Sequence, residues 1–382
     1  AVATMDTVTL IRSAIRGLLK AADAQLEAEL RTVLSGSDDY ASAGKPVCDW
    51  NDADARAVLI DQLAADGVAL LGVLEGRQLQ PAVVQAGELV ATVIGQDLEQ
   101  DEHGTFRIVR GVATDRVIST VDPDARHGRK STSGKFDGYK GHVAIDPDSE
   151  IVTDAAAGPA NAGDGPMTGR LTADLDRHDD GDQAGSGDQN HDRDGQQGPA
   201  VYGDAAYGSG DQLAELDARG IDAKVKTQPP ARRNGKFSKG DFDIDLGADT
   251  VTCPAGHTTG IVRGADGSGV ARFADKCRTC PLRERCTDAA RGRQLNIHRH
   301  EALLARQRAR GADPDWASDY RATRPKVERK LAHLVRRGRR ARRRGLQRVD
   351  ADWNLLAGAV NLARLAALGT HHTTGGWRTA PA

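Results

Sequence analysis

The segment 199–227 places the strongest constraint on the fold. Its stretch VYGDAAYGSG, residues 201–210, joins a short apolar strand to a glycine-serine turn, and a lone carboxylate, Asp204, stands where the strand ends. Ser209 can cap a helix GDQLAELDARG that ends at Gly220, and DAKVKT follows as a second strand. A strand, a crossover helix and a strand in this order predict a parallel pair, and hence an α/β sheet.

The position of Asp204 makes it a candidate site residue. Open α/β sheets bind their ligands beyond the carboxyl ends of the strands. The alternative is that the carboxylate only caps the following helix or accepts hydrogen bonds from turn amides. Position alone leaves both interpretations open.

The remaining sequence changes character along the chain. Residues 1–110 have the apolar periodicity of amphipathic helices, as in TVTLIRSAIRGLLK, with Asp6 suited to cap the first one. GYKGHVAID and EIVTDAAAG flank a turn-rich PDS and predict an antiparallel pair at 139–146 and 150–155. Residues 178–199 contain six aspartates against one arginine and almost no apolar side chain, which predicts a mobile loop.

With 382 residues the chain exceeds the ~250–300 residues at which single cores stop growing, so two or three compact units are expected. The predicted division is a helical region at 1–110, a first part of the sheet core at 111–228, a cysteine-bearing insertion at 229–319, a helical part of the core at 320–368 and a disordered tail at 369–382.

The sequence also predicts where in the cell the protein is located. No apolar run approaches the ~20 residues that a membrane-spanning helix needs, and the N-terminus lacks the pattern of a signal peptide. We therefore expect a cytoplasmic protein with no membrane partner. In that reducing compartment, the four cysteines within 253–286 favour a metal site over disulfides.

These cysteines are Cys253, Cys277, Cys280 and Cys286, which in type match a four-thiolate structural zinc site. The spacing includes one C-x2-C pair, but the first interval and the final C-x5-C are looser than in tight zinc knuckles. His257 could replace one thiolate. A reduced apolar thiol cluster and a disulfide-bearing module are the alternatives.

Residues 321–350 form a strongly basic stretch, with 13 lysines and arginines against two acids. Such a density of positive charge indicates a polyanion partner. Within RPKVERKLAHLVRRG, Pro325 suits a first helical turn, and Glu328 falls beside an apolar stripe that includes Val335, facing neither open solvent nor deep core. Glu328 could bind a metal ion beside a nucleic-acid backbone, or it could be an ordinary surface residue paired with a neighbouring cation.

Three stretches together carry a resemblance to a known family: VYGDAAYGSG, DGYKGHVAIDPDSEIVTDAAAGPAN and YRATRPKVERK. Over roughly residues 110–368 the sequence resembles the DDE transposases of bacterial insertion sequences, in particular the IS1182 and IS4-like groups. The resemblance implies an α/β core of the RNase H-like type, here a mixed sheet with a cysteine-bearing insertion and a helical N-terminal region. It further implies three acidic residues that hold two Mg²⁺ or Mn²⁺ ions, and DNA as the partner.

The resemblance assigns residues to roles. Asp204 would be the second acidic residue and Glu328 the third, with Tyr320 and Arg324 as the family-type neighbours that precede the glutamate. The spacing of Tyr320 is one residue longer than the family pattern, and Val335 occupies a place where the family often has lysine. The DNA-binding side chains would be Tyr320, Arg324, Arg336, Arg337, Arg339 and Arg340.

The first acidic residue is the main departure, because no Asp-Gly-Thr or Asp-Ser-Thr motif precedes Asp204. Asp6 resembles a helix cap, and Asp122, expected to follow a short strand, is the best internal substitute. We therefore expect a chain that lacks the first catalytic aspartate at its N-terminal side.

The expected activity is metal-dependent DNA cleavage and strand transfer by a homo-oligomer on transposon ends and target DNA, defective if the first aspartate is missing. The alternatives are a metal-dependent nuclease and a non-catalytic DNA-binding remnant of a transposase. For the arginines the alternative is a solvated basic helix without a partner.

Overall fold

A computed structural model describes residues 4–129, 134–179, 198–338 and 340–379. It is a mixed α/β structure, as predicted, and it divides into two compact units. Unit 1 comprises residues 1–142, 155–162 and 334–363, and unit 2 comprises 143–154, 163–333 and 364–382. The five-part division predicted from the sequence is a different partition and stays a prediction.

Four helices form the N-terminal part of unit 1: α1 (Thr7–Ala21), α2 (Ala24–Thr32), α3 (Ala53–Leu74) and α4 (Pro81–Asp97). Asp6 caps α1, since its side chain accepts a hydrogen bond from the amide of Thr9, and it does not belong to a strand. The helices bury one continuous apolar core that includes Leu10, Ile15 and Leu63. The predicted helical region ends early, because a hairpin of β1 (Leu98–Gln100) and β2 (Phe106–Ile108) follows α4.

Within the described part of the chain, α3 is the one helix that is long enough and apolar enough to span a membrane. A core helix of a globular domain meets the same criterion. In unit 1, Leu63 and Leu70 of α3 are fully buried in the helical core.

A three-stranded sheet follows, with β3 (Arg126–Arg129), β4 (Lys135–Ile145) and β5 (Val152–Pro159) in that order. β3 and β4 pair antiparallel. The predicted strands at 139–146 and 150–155 correspond to β4 and β5, each longer at its outer end. Their connecting turn is closed by Asp146, whose carboxylate accepts from the amide of Ser149 at 2.9 Å.

After the one-turn helix α5 (Thr168–Leu171), the predicted parallel pair is present. β6 (Ala200–Gly203) and β7 (Asp222–Val225) are parallel and are joined by α6 (Gly210–Ala218). The side chain of Ser209 caps α6 through the amide of Gln212, and Gly220 ends the connection at φ +67°, a backbone conformation that favours glycine. Of the predicted acidic loop at 178–199, residues 180–197 lie outside the described residues.

The cysteine-bearing segment forms a small antiparallel sheet of five strands: β8 (Asp243–Asp245), β9 (Thr250–Thr252), β10 (Thr258–Arg263), β11 (Gly269–Arg272) and β12 (Gln294–Ile297). The one-turn helix α7 (Arg283–Cys286) lies between β11 and β12 in the chain. The core of this sheet is small, with Phe242, Val251, Phe273 and Leu295 among its buried residues.

The C-terminal helices are α8 (Glu301–Gly311), α9 (Pro314–Gly338) and α10 (Leu346–Ala367). The expectation that a helix starts near Pro325 is wrong, because α9 begins at Pro314 and contains Pro325 in its interior. The expected disorder of the tail is also wrong for β13 (His371–Thr373) and β14 (Gly376–Arg378), which pair as a hairpin. Its turn is closed by the hydroxyl of Thr373, which donates to the carbonyl of Gly376 at 2.9 Å.

Glu301 gives unit 2 a pH-dependent stability. Its buried carboxylate is hydrogen-bonded by Lys239 and, at 2.9 Å, by Arg308. Burial alone would raise the pKa of Glu301, but the hydrogen bonds from Lys239 and Arg308 outweigh it and hold this pKa below its usual value. A depressed pKa contributes stability above the unfolded-state pKa of about 4.3, and that stability is lost as the pH falls through the folded-state pKa.

We predict that Glu301→Gln lowers the free energy of unfolding by about 3–5 kcal/mol at pH 7, because it leaves two cations without their buried counter-charge. The difference from wild type should shrink as the pH falls below about 4. Urea unfolding followed by circular dichroism measures both effects. The control is Glu29→Gln, which removes an exposed ion pair with Arg77 and should change stability by less than about 1 kcal/mol. An equal effect of the two substitutions would contradict this assignment.

Candidate active site

The strand end that the sequence predicted beside Asp204 is present, because β6 ends at Gly203. Asp204 directly follows β6 and caps a short 3₁₀ helix, Ala205–Tyr207, by accepting from the amide of Ala206 at 2.8 Å. Asp204 is therefore a cap, as one of the two interpretations held. The cap engages only one oxygen of the carboxylate. The side chain is 49 % exposed, and its second oxygen faces Arg324.

Helix α9 is anchored to the same strand end by Tyr320. The buried hydroxyl of Tyr320 donates a hydrogen bond to the carbonyl of Gly203 at 2.9 Å, and its ring stacks on Trp316 at a centroid distance of 5.1 Å. Burial raises the pKa of Tyr320, while the nearby Arg324 acts in the opposite direction. The hydroxyl therefore stays protonated and remains a donor to the strand.

Arg324 brings the two predicted acidic residues together. One of its terminal nitrogens lies 3.6 Å from Oδ2 of Asp204, and the other lies 3.7 Å from Oε1 of Glu328. The guanidinium side chain is only 16 % exposed, and its Nε is buried without a hydrogen-bond partner among the described residues. Asp204 and Glu328, far apart in sequence, thus share a single cation.

The exposure of Glu328 corrects one expectation. The sequence placed it at the margin of an apolar stripe, facing neither open solvent nor deep core, but its side chain is 65 % exposed. The stripe itself exists in part, since Leu334 is buried and Val335 is half-buried. Arg324 lies one turn earlier on α9 and pairs with the exposed carboxylate of Glu328 at 3.7 Å.

A third carboxylate near the site was missed by sequence reasoning. Burial raises the pKa of Tyr207, and the charges of Asp164 and Asp204 raise it further, whereas Arg324 lowers it. Asp164 therefore lies within electrostatic reach of the tyrosine that ends the 3₁₀ helix after Asp204. The available signal in the sequence is its position shortly after β5, in the stretch PANAGDG.

Asp122, the proposed substitute for the first acidic residue, lies in surroundings that differ from the prediction. It does not follow a strand, because residues 109–125 contain none, and it is 4 % exposed. Its Oδ1 accepts hydrogen bonds from the hydroxyl of Tyr139 and from the amide of Gly345, both in unit 1. These contacts give Asp122 a structural role in closing a loop.

The predicted DNA-binding arginines lie at and after the end of α9. Arg336 and Arg337 are in its last turn and are exposed, and Arg340 is exposed in the segment that follows. Arg339 lies outside the described residues. The exposed basic segment extends beyond the residues that the sequence singled out, through Arg342, Arg343 and Arg344.

The four predicted zinc ligands line a common cavity in unit 2, together with His257. All four are free thiols. Among the described residues, no three His, Cys, Asp or Glu side chains already lie in an arrangement that would hold a metal ion, either here or around Asp204.

Comparison with known proteins adds one finding. Residues 252–366 match the model of a family described as a transposase DDE domain. The match includes Tyr320, Arg324 and Glu328 but not Asp204, and it covers less than a third of the 382 residues. No curated protein and no solved structure matches the chain.

The anchor between α9 and β6 can be tested by stability. We predict that Tyr320→Phe lowers the free energy of unfolding by about 0.5–1.5 kcal/mol, because it removes a buried hydrogen bond between α9 and β6. The matched control is Tyr202→Phe, whose hydroxyl bonds the partly exposed carboxylate of Asp319 and should matter less. Urea unfolding of both variants measures the difference. An effect of Tyr320→Phe no larger than that of the control would argue against the anchor.

Proposed function

We propose that this chain is a DDE transposase of the insertion-sequence type, in which Asp204 and Glu328 belong to the catalytic acidic set. The observation that carries the proposal is the shared guanidinium of Arg324, which draws these two carboxylates together at the end of β6. The match of residues 252–366 to a transposase DDE domain supports it independently, because it contains Glu328. The RNase H-like type of the core and membership of the IS1182 or IS4-like groups are part of the same proposal.

The side chains fit a divalent cation by their chemistry. Mg²⁺ takes oxygen ligands, needs only one or two carboxylates, and fills its remaining positions with water and substrate phosphate. Asp204 and Glu328 offer exposed carboxylate oxygens, and a cation already lies between them in the form of the Arg324 guanidinium. Two nearby negative charges favour positive charge at that place. When bound there, the ion would lower the pKa of an attacking oxygen and stabilise charge on the leaving oxygen of a phosphodiester.

The protein's own residues then have separate tasks. Asp204 and Glu328 would hold the cation, and Tyr320 fixes the helix that carries Glu328 to the strand that leads to Asp204. Arg324 lies beside both carboxylates, and with a metal ion bound there it would be available to pair with a DNA phosphate. The arginines at the end of α9 would bind phosphates without selecting a sequence, since contacts of this kind position the protein on DNA.

A second candidate function is DNA binding without cleavage. The buried and hydrogen-bonded state of Asp122 favours it, because this residue is not free to act as the first acidic residue. The cleavage test therefore measures DNA binding and DNA cutting in the same samples. A nuclease that cuts without joining strands is separated from a transposase in the same assay by scoring strand-transfer products.

We predict that Mn²⁺- or Mg²⁺-dependent nicking of plasmid DNA carrying the element's ends is lost in Asp204→Asn and in Glu328→Gln, by at least about 100-fold in rate. The substitutions keep shape and remove the charge that the cation requires. The matched control is Asp217→Asn, an aspartate of similar exposure (51 %) that pairs with Arg306 on the surface.

Cutting that depends on Asp204 and Glu328 but not on Asp217 supports the transposase. Cutting that survives both active-site substitutions contradicts the acidic-site assignment. Salt-dependent DNA binding without cutting supports the second candidate function.

The contribution of the basic segment to DNA binding can be tested by the salt dependence of the affinity. Replacing Arg336 and Arg337 together by alanine should lower the slope of log affinity against log salt concentration by about 1–2, roughly 0.9 for each phosphate that is no longer neutralised. Fluorescence anisotropy with duplex DNA at several salt concentrations measures the slope. The control Arg31→Ala with Arg107→Ala removes two other arginines and should leave the slope unchanged. An equal decrease in both double variants would refute a specific basic surface.

A further inference from the structure

The cysteine-bearing sheet contains a cavity that the proposed reaction does not use. Its lining includes all four cysteines of unit 2, Cys253, Cys277, Cys280 and Cys286. The cavity measures about 10 Å³, which is close to the space that one water molecule needs. It is therefore of a size for a single ion and too small for an organic ligand.

The backbone around the thiols is built of tight turns. After β9, the amide of Gly256 donates to the carbonyl of Cys253 at 2.8 Å, and the amide of Cys253 donates to the carbonyl of His257 at 2.9 Å. Gly256 has φ +81°, which a side chain would strain. This turn presents Cys253 at the base of the β9–β10 hairpin.

The other three thiols come from the segment between β11 and β12. Cys277 ends a short 3₁₀ helix, Cys280 lies in the following turn, and Cys286 ends α7. The Sγ of Cys277 accepts a hydrogen bond from the amide of Arg293 at 3.4 Å. This bond ties the sulfur of Cys277 to the residue that precedes β12.

Positive charge surrounds the thiols. Lys276, Arg283 and Arg293 contribute to the lining, and among the described residues no aspartate or glutamate does. The side chains of Arg283 and Arg293 donate to the carbonyls of Cys277 and Cys286, which holds them in place. The Nε of Arg293 is buried with no hydrogen-bond partner in the described part of the chain.

The cations of the lining favour a negatively charged centre in the cavity. Four thiolates around one divalent cation carry a net charge of about −2, which the surrounding cations offset. If the thiols stay protonated, the described lining offers these cations no counter-charge.

The small core of this sheet is the second observation that favours a structural metal. Its strands are three to six residues long, and its small buried core includes the side chains of Cys277 and Cys286. Small modules with so little apolar core commonly depend on a structural metal for their folding free energy. An ion at the cavity would join the β9–β10 turn to the segment that carries α7.

We propose that Cys253, Cys277, Cys280 and Cys286 bind one Zn²⁺ ion as four thiolates and that this ion stabilises the five-stranded sheet. The thiols line one cavity, but no three of them yet lie in a metal-holding arrangement among the described residues, so metal binding would bring them closer together. His257 lines the cavity as well but is not needed as a ligand. The four ligands include neither Asp204 nor Glu328, so the test of this site is independent of the proposed reaction.

The test is metal content and Co²⁺ spectroscopy of the full chain, purified under reducing conditions. We expect one zinc per chain, and after exchange with Co²⁺ the absorption of a tetrahedral site with a thiolate-to-cobalt charge-transfer band. Cys280→Ser, which alters a partly exposed thiol, should weaken Co²⁺ binding by more than the ~10–100-fold that loss of an outer-shell partner costs. Cys48→Ser, at the thiol in unit 1, and His257→Ala should keep the full spectrum.

A wild-type measurement keeps the test decisive if Cys280→Ser fails to fold. Chelation of the metal should lower the midpoint of thermal unfolding, and titration of the four cavity thiols with a mercurial should release one zinc ion. Purified protein that contains no zinc, takes up no Co²⁺ and titrates with all five cysteines as free thiols would establish a reduced thiol cluster and overturn the proposal. Fewer titratable thiols without bound metal would establish disulfides and overturn it equally.

Discussion

The hydrogen bond from Tyr320 to the carbonyl of Gly203 is the contact on which the candidate active site depends. Gly203 is the last residue of β6 and Asp204 follows it directly, whereas Arg324 lies one turn after Tyr320 on α9 and Glu328 one turn further. This buried bond therefore links the strand that leads to Asp204 with the helix that carries Arg324 and Glu328, and it contributes to holding α9 at this place.

The same geometry explains why an arginine stands between two candidate catalytic acids. Two carboxylates brought close together repel each other, and a guanidinium between them offsets that repulsion. Arg324 is mostly buried, yet its contacts to Asp204 and Glu328 are longer than hydrogen bonds, and its Nε lacks a partner among the described residues. The carboxylates are thus held near a cation at distances longer than hydrogen bonds, as the proposed exchange for a divalent ion would require.

The sequence predicted local structure best where short-range chemistry decides it. The strand before Asp204, the Ser209 cap and the end of the connection at Gly220 follow from residue preferences over a few positions, and all three are present. The helix around Pro325 was placed too late, because the tertiary anchor at Tyr320 and the stacked Trp316 extend α9 toward its N-terminal side despite the proline.

Relations across long sequence separations were harder to predict. Nothing in the sequence shows that Arg324 lies beside Asp204, since that depends on how the strands and α9 pack. The pairing of Asp204 with Glu328 came from the resemblance to transposases and not from spacing. The expected oligomer on DNA, the cytoplasmic location and the absence of a membrane partner stay predictions.

The most direct measurement is the position of bound Mn²⁺ in crystals of the protein, located by anomalous scattering at the manganese absorption edge. We expect a peak between the carboxylates of Asp204 and Glu328, with the guanidinium of Arg324 displaced from them. Crystals of Asp204→Asn should lack that peak. Manganese bound elsewhere in the chain, with Arg324 still between the two carboxylates, would contradict the assignment of this site as the catalytic centre.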